Sequence, residues 1–206
     1  MKVLQEPIAF RNVLPSACTI LFLGGLLSWF YSPWSWLGDL SWASIPYGVV
    51  LGIVIYLTGF ILSCTPWTKT PAMHNLLLTL HSFFKRFTWF QILVVSLLAG
   101  VGEELLIRAV LQSYLIEKIS PVWGIVCASI VFGALHFMTK TYVLLTFFLG
   151  LLFGLSFYYS GSVVLVMVAH TVYDVIAFAM IVKFPHKLGL NVDREATTIK
   201  ETTTKK

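Results

Sequence analysis

Three groups of residues in this chain could do chemistry. Glu103 and Glu104 stand side by side, with Arg108 four residues on, and no other charged residue lies between Arg86 and Glu117. His136 interrupts the next apolar run. His170 and Asp174, four apart, interrupt the last one. A charge inside an apolar membrane helix costs at least about 2.5–3.5 kcal/mol on insertion scales, so three charges held together need partners, water or a function. Glu104 and Arg108 share a helix face and can neutralise each other as a structural ion pair. Glu103, about 100° around the helix, is left over.

One carboxylate, two imidazoles and a second carboxylate, supplied by separate helices, are the parts of a hydrolytic site. A carboxylate in a low-dielectric site is a stronger base and can take a proton from water. An imidazole can hold that water or protonate a leaving amine. A histidine and a neutral side chain four residues on can donate to an oxyanion. Used differently, Glu103, His136 and His170 are a two-histidine, one-carboxylate set for Zn²⁺ with an open position for water. Spacing alone leaves both arrangements open. A lone histidine on an apolar face is ordinarily a packed, hydrogen-bonded residue; two of them beside a Glu-Glu pair fit that reading less well. No serine or cysteine sits in a recognisable nucleophile setting, so activated water is preferred to a covalent acyl-enzyme. Two other classes stay open: a non-catalytic scaffold or immunity-type protein that binds a peptide in the same cavity, and a proton-coupled carrier, since intramembrane Glu and His also relay protons.

The elements that must position these residues are membrane helices. Of 206 residues, 58% are hydrophobic and 11% charged, against about 25% charged in a soluble domain; mean hydropathy is +0.86. The reading is an all-α polytopic membrane protein with about six spans. These are Val13–Tyr31, Ile45–Ser63, a third from Phe87 to about Ile116, Val122–Met138, Tyr142–Tyr159 and Ser162–Val182. Breaks are expected at the Trp-rich stretch 32–44, at 64–75, at Pro121, at Thr139–Thr141 and at Ser160-Gly161. A short interfacial helix is expected over Leu76–Phe84. The chain divides into 1–86, a two-span region with that interfacial segment; 87–182, a four-helix core carrying the site; and 183–206, a polar tail expected to be disordered. Cys18, Cys64 and Cys127 lack metal-ligand spacing and read as buried small hydrophobes. His74, His81 and His186 read as interfacial or solvated, and the phenylalanines of 147–157 as packing or lipid-facing. The net charge of +5 is spread over loops and tail and does not indicate nucleic acid. No cleavable signal peptide is expected.

Six spans put both termini on one side, together with Lys2, Arg11, Lys69, Lys85, Arg86, Lys140 and the six basic residues from Lys183 onward. The other side has Lys118 alone. That asymmetry predicts cytoplasmic termini. Glu103 and His136 lie equally far from the turn near Ile119, so an antiparallel hairpin sets them at one depth. Counted from Ser160-Gly161, His170 falls about 10 Å further out, while Asp174 matches better.

The pattern Glu103-Glu104-x-x-x-Arg108, Phe132-x-x-x-His136 and His170-x-x-x-Asp174 resembles the CPBP family (CAAX proteases and bacteriocin-processing enzymes, also called the Abi family) of intramembrane endopeptidases. The resemblance covers roughly residues 87–182. It implies that Glu103 and His136 activate the water, that His170 and the residue four later support the oxyanion, and that Glu104 and Arg108 are structural or positioning partners. At that last position the family often has asparagine; this chain has Asp174, which if ionised would orient His170 or help hold a metal. The resemblance also implies a membrane-associated peptide or protein substrate cut near its end. In eukaryotic members this is a prenylated carboxy-terminal tail; in prokaryotic members, a bacteriocin, signalling peptide or sorting tail.

Overall fold

The computed structural model describes residues 7–31, 42–63 and 70–190. All regular structure there is helical: α1 (Phe10–Tyr31), α2 (Ser44–Ser63), α3 (Pro71–Phe84), α4 (Trp89–Glu104), a π-helical segment (Leu105–Gln112), α5 (Ser113–Lys118), α6 (Pro121–Leu135), α7 (Lys140–Ser160) and α8 (Val163–Lys183). A 3₁₀ turn follows at Pro185–Leu188.

Helix starts are written locally. Thr88 and Gln91 form a reciprocal capping box at α4, with Gln91 N donating to Thr88 Oγ1 (3.2 Å) and Thr88 N to Gln91 Oε1 (3.0 Å). Ser120 caps α6 ahead of Pro121, Thr139 caps α7 and Ser162 caps α8, each accepting from the amide three residues on. Gly161, at φ 65°, closes α7 in the left-handed region.

Among the described residues, five rods are long and apolar enough to cross a bilayer: Phe10–Phe30, Ser44–Leu62, Trp89–Lys118, Lys140–Ser160 and Val163–Lys183. The chain is an all-α polytopic membrane protein. The fourth expected span differs: α6 has 15 residues and ends at Leu135, short of the ~20 needed to cross. His136 therefore sits just past a helix end, at φ −100° and ψ 34°. α3 starts at Pro71, five residues before the expected Leu76, because Thr70 caps it and proline is favoured in the first turn.

The 30-residue rod Trp89–Lys118 carries the π-helical segment in its middle. Glu104, Arg108 and Gln112, spaced by four, are all fully buried. An α-helical stripe with that spacing drifts about 40° per step, and the wider turn counters the drift. Two glycines let neighbours close on this rod. A Cβ at Gly102 would lie 2.8 Å from Leu21 Cα of α1, and one at Gly100 would lie 2.7 Å from Thr171 N of α8. Both glycines thus serve close helix packing.

Of the expected tail, residues 183–190 are structured. Lys183 donates to the Phe87 carbonyl, and Leu190 is 2% exposed. Residues 191–206 lie outside the described residues, as do Cys64 and most of the Trp-rich stretch. Cys18 is exposed on the bundle surface and Cys127 half-buried, so the expectation of buried cysteines fails for Cys18. His81 is not solvated: it is buried, and its Nδ1 lies 2.8 Å from the Ile181 carbonyl.

Candidate active site

α4 ends on Glu103 and Glu104, and adjacent residues on a helix face different neighbours. Glu103 turns to α6. Its Oε2 lies 3.8 Å from His136 Nε2, with the two side chains 17% and 20% exposed. That distance is beyond direct hydrogen-bond reach. Among the described residues, Glu103 Oε2 is buried with no hydrogen-bond partner. His136 Nδ1 lies 2.8 Å from the Phe132 carbonyl, one turn back. A carbonyl only accepts, so Nδ1 carries the proton, and in the neutral ring Nε2 presents a lone pair toward Glu103.

Glu104 turns to α8 and is fully buried. Its Oε1 accepts from His170 Nδ1 at 2.9 Å. Its Oε2 lies 3.0 Å from Arg108 Nε, an ion pair not aligned as a hydrogen bond. The guanidinium also lies over the Phe132 ring, 4.9 Å from the centroid. His170 Nε2 faces Asp174 Oδ2 at 3.6 Å. Phe153 of α7 stacks on the imidazole at 5.0 Å and 20°, and Phe132 meets it edge-on at 5.8 Å. The ring of His170 is thus held on its face by Phe153 and at Nδ1 by Glu104, with Nε2 turned toward Asp174.

A cavity of about 140 Å³ opens between α3, α7 and α8. Its lining combines the polar side chains of His136, Tyr142, His170 and Asp174 with apolar ones that include Leu76, Leu80, Leu149 and Phe178. Glu103 stands behind this wall, reaching it through His136.

All six residues singled out in the sequence gather here, in two sets. Glu103 and His136 form one; Glu104, Arg108, His170 and Asp174 form the other. The three residues considered for zinc do not fit it as they stand. His170 gives Nδ1 to Glu104 and turns Nε2 toward Asp174 at 3.6 Å, and so sits with those carboxylates rather than with the Glu103–His136 pair. Among the described residues no group of three His, Cys, Asp or Glu is arranged to hold a metal ion.

Counting from the turns set His170 too far out. The Glu104–His170 bond shows that the two outer turns are not level. Phe153 and His170, roughly equidistant from Ser160-Gly161, do lie at one depth. Sequence reasoning missed Tyr142, Tyr173 and Phe153 as neighbours of the histidines. An aromatic residue in an apolar run carries no signal of which face it takes, although Tyr142, placed one turn after a helix cap beside His136, was open to notice.

The family model described as Type II CAAX prenyl endopeptidase Rce1-like matches residues 85–176, which include every residue of both sets. The chain is also similar to an uncharacterized protein, YpbD, of Bacillus subtilis (strain 168). The two are 28% identical over 143 residues, covering 68% of this chain and 69% of that protein. No solved structure matches. The stretch similar to this family model thus contains all three motifs, Glu103-Glu104-x-x-x-Arg108, Phe132-x-x-x-His136 and His170-x-x-x-Asp174.

Proposed function

We propose that this Rce1-like chain hydrolyses a peptide bond near the end of a membrane-associated peptide or protein, using water activated by Glu103 and His136. The observation that carries the reading is the 3.8 Å approach of Glu103 Oε2 to His136 Nε2 beside a partly apolar cavity. Two acceptors at that separation can share one water, each about 2.8 Å from its oxygen. In this reading Glu103 takes a proton from the water as its oxygen bonds to the carbonyl carbon. His136 holds the water through Nε2. When the tetrahedral intermediate collapses, the C–N bond breaks and the amine leaves with the proton from Glu103. Glu104, Arg108 and Asp174 orient His170 at the edge of the cavity. No step passes through a metal. With the 15-residue α6 counted as a short sixth crossing, the basic asymmetry of the loops supports cytoplasmic termini and a site in the cytoplasmic half. The apolar side chains in the cavity lining suit a lipid-anchored or apolar tail; the substrate class is CAAX-type or a bacteriocin or sorting tail.

The test is cleavage of membrane-anchored peptides by the full chain in lipid nanodiscs. Glu103→Gln should lower the rate by at least about 10²-fold with its fold intact. Peptide binding without cleavage in the wild type would favour a scaffold, and proton-dependent uptake in vesicles would favour a carrier.

A further inference from the structure

A tetrahedral intermediate needs a hydrogen-bond donor at the oxygen that becomes negative. Six polar side chains line the cavity: His136, Tyr142, Thr146, His170, Tyr173 and Asp174. Three have no proton to give. An ionised Asp174 only accepts. His136 commits its Nδ1 proton to the Phe132 carbonyl. Thr146 spends its hydroxyl on the Tyr142 carbonyl at 2.7 Å. His170 gives Nδ1 to Glu104, while its Nε2, 3.6 Å from Asp174 and not hydrogen-bonded to it, stays open to a substrate oxygen as one donor.

Two phenols remain. Tyr173 directs its ring to Tyr56 of α2, 6.5 Å away, and packs against the cluster of Ile55, Phe153 and Ala169. Tyr142 is different. It stands in the first turn of α7, its amide held by the Thr139 cap at 3.0 Å. Its ring meets His136 edge-on at 5.4 Å, beside the imidazole whose other face of action is Glu103.

We propose that Tyr142 is an oxyanion donor of this site, standing in for the donor that Asp174 lacks, its phenol hydroxyl hydrogen-bonding to the substrate carbonyl oxygen as charge develops there. The proposal deepens the hydrolytic reading above and rests on it. When the water oxygen bonds to the carbonyl carbon, the C=O π pair moves onto oxygen. The phenol O–H meets that oxygen and keeps its proton. On collapse the C=O bond reforms, the C–N bond breaks, and the proton held by Glu103 leaves with the amine. Tyr142 thus supplies the donor that Asp174, as a carboxylate, does not.

The experiment uses the full chain in nanodiscs and a library of lipid-anchored peptides, with products read by mass spectrometry and kinetics taken on the best-cleaved member. Tyr142→Phe keeps the ring on His136 and removes only the hydroxyl. Its kcat should fall by about 10²-fold while KM stays within about twofold. A peptide aldehyde of the same sequence, bound as a tetrahedral hydrate, should lose affinity by a similar factor, whereas the corresponding alcohol should not. Tyr158→Phe, on the exposed side of the same helix, should match the wild type. A Tyr142→Phe enzyme with kcat within twofold of the wild type overturns the proposal, as does a loss that lies in KM alone or appears only in Tyr173→Phe. If Tyr142→Phe misfolds, fluorotyrosine at 142 decides instead: kcat that ignores the phenol's acidity overturns the assignment. A wild type that cleaves nothing in the library overturns the hydrolytic reading as well. An active wild type, an inert Glu103→Gln and a fully active Tyr142→Phe overturn this proposal alone.

Discussion

Nδ1 of His170 donates to Oε1 of Glu104 across 2.9 Å, joining α8 to the end of α4 over 66 residues of sequence. The same carboxylate pairs with Arg108 through its other oxygen. Glu104 is therefore a junction, and removing it does two separable things. Glu104→Ala leaves the fully buried Arg108 without its ion-pair partner, at a cost of about 3–5 kcal/mol. It also frees the His170 ring. We expect a large loss of thermal stability in detergent and a loss of activity. The double variant Glu104→Gln with Arg108→Met removes both charges and should regain most of the stability. Activity should not return with it, because His170 no longer has an anionic anchor. Thermal unfolding followed by size exclusion, with peptide cleavage in parallel, checks both halves. Full activity in the double variant would show that the His170–Glu104 bond serves folding only.

Chelation gives a second prediction. His170 is drawn to Glu104 and Asp174, away from a shared coordination position with Glu103 and His136. Cleavage by the purified chain should therefore survive overnight treatment with phenanthroline or EDTA. Loss of activity that added Zn²⁺ restores would mean that these side chains rearrange to bind a metal.

The third prediction concerns the glycines that bring the rods together. A β-carbon at Gly100 would press on the Thr171 backbone, next to His170, and one at Gly102 on the backbone of Leu21. Neither is the far end of a flexible side chain, so helices must move apart. Gly100→Val should cost about 1–3 kcal/mol and lower kcat as well, since it pries α4 from α8 where Glu104 meets His170. Gly102→Val should cost a similar amount in stability with a smaller effect on kcat, because α1 carries none of the site residues. Equal kcat losses for the two would mean that α1 also sets the position of Glu103.

The rods were legible in the sequence because their signals are local and strong. Apolar runs of about twenty residues, Thr139, Ser162 and Gly161 each mark an element without reference to any other. The Glu103–His136 approach was legible too, because both residues are measured from the same turn. His170 was not, since its depth was counted from a different turn, and the relative height of two turns is set by packing. The π-helical segment 105–112 left no mark in residue types. Its effect, keeping Glu104, Arg108 and Gln112 on the buried side, depends on neighbours that local propensity does not see. The shortened α6 is similar: Leu135, Phe137 and Met138 continue an apolar pattern, while the backbone stops at His136 to turn its imidazole inward. Departures from local rules gathered at the candidate site, where packing and chemistry compete with propensity.

The cavity supplies the last prediction. Ala177 of α8 lines it together with the leucines of α3. Ala177→Leu would push three carbons into about 140 Å³ of open space. Where space is already open, added carbons do not strain a packed core, so the usual overpacking cost of about 1–3 kcal/mol should be largely absent. If the substrate's apolar part occupies this space, the variant keeps its unfolding temperature while KM rises severalfold. Its kcat for a short peptide that does not reach Ala177 stays near that of the wild type. The discriminating measurement is KM for two peptides that differ only in the bulk of the apolar terminus. A variant that handles both as the wild type does would place the bound peptide elsewhere, on the far side of the histidines from α3.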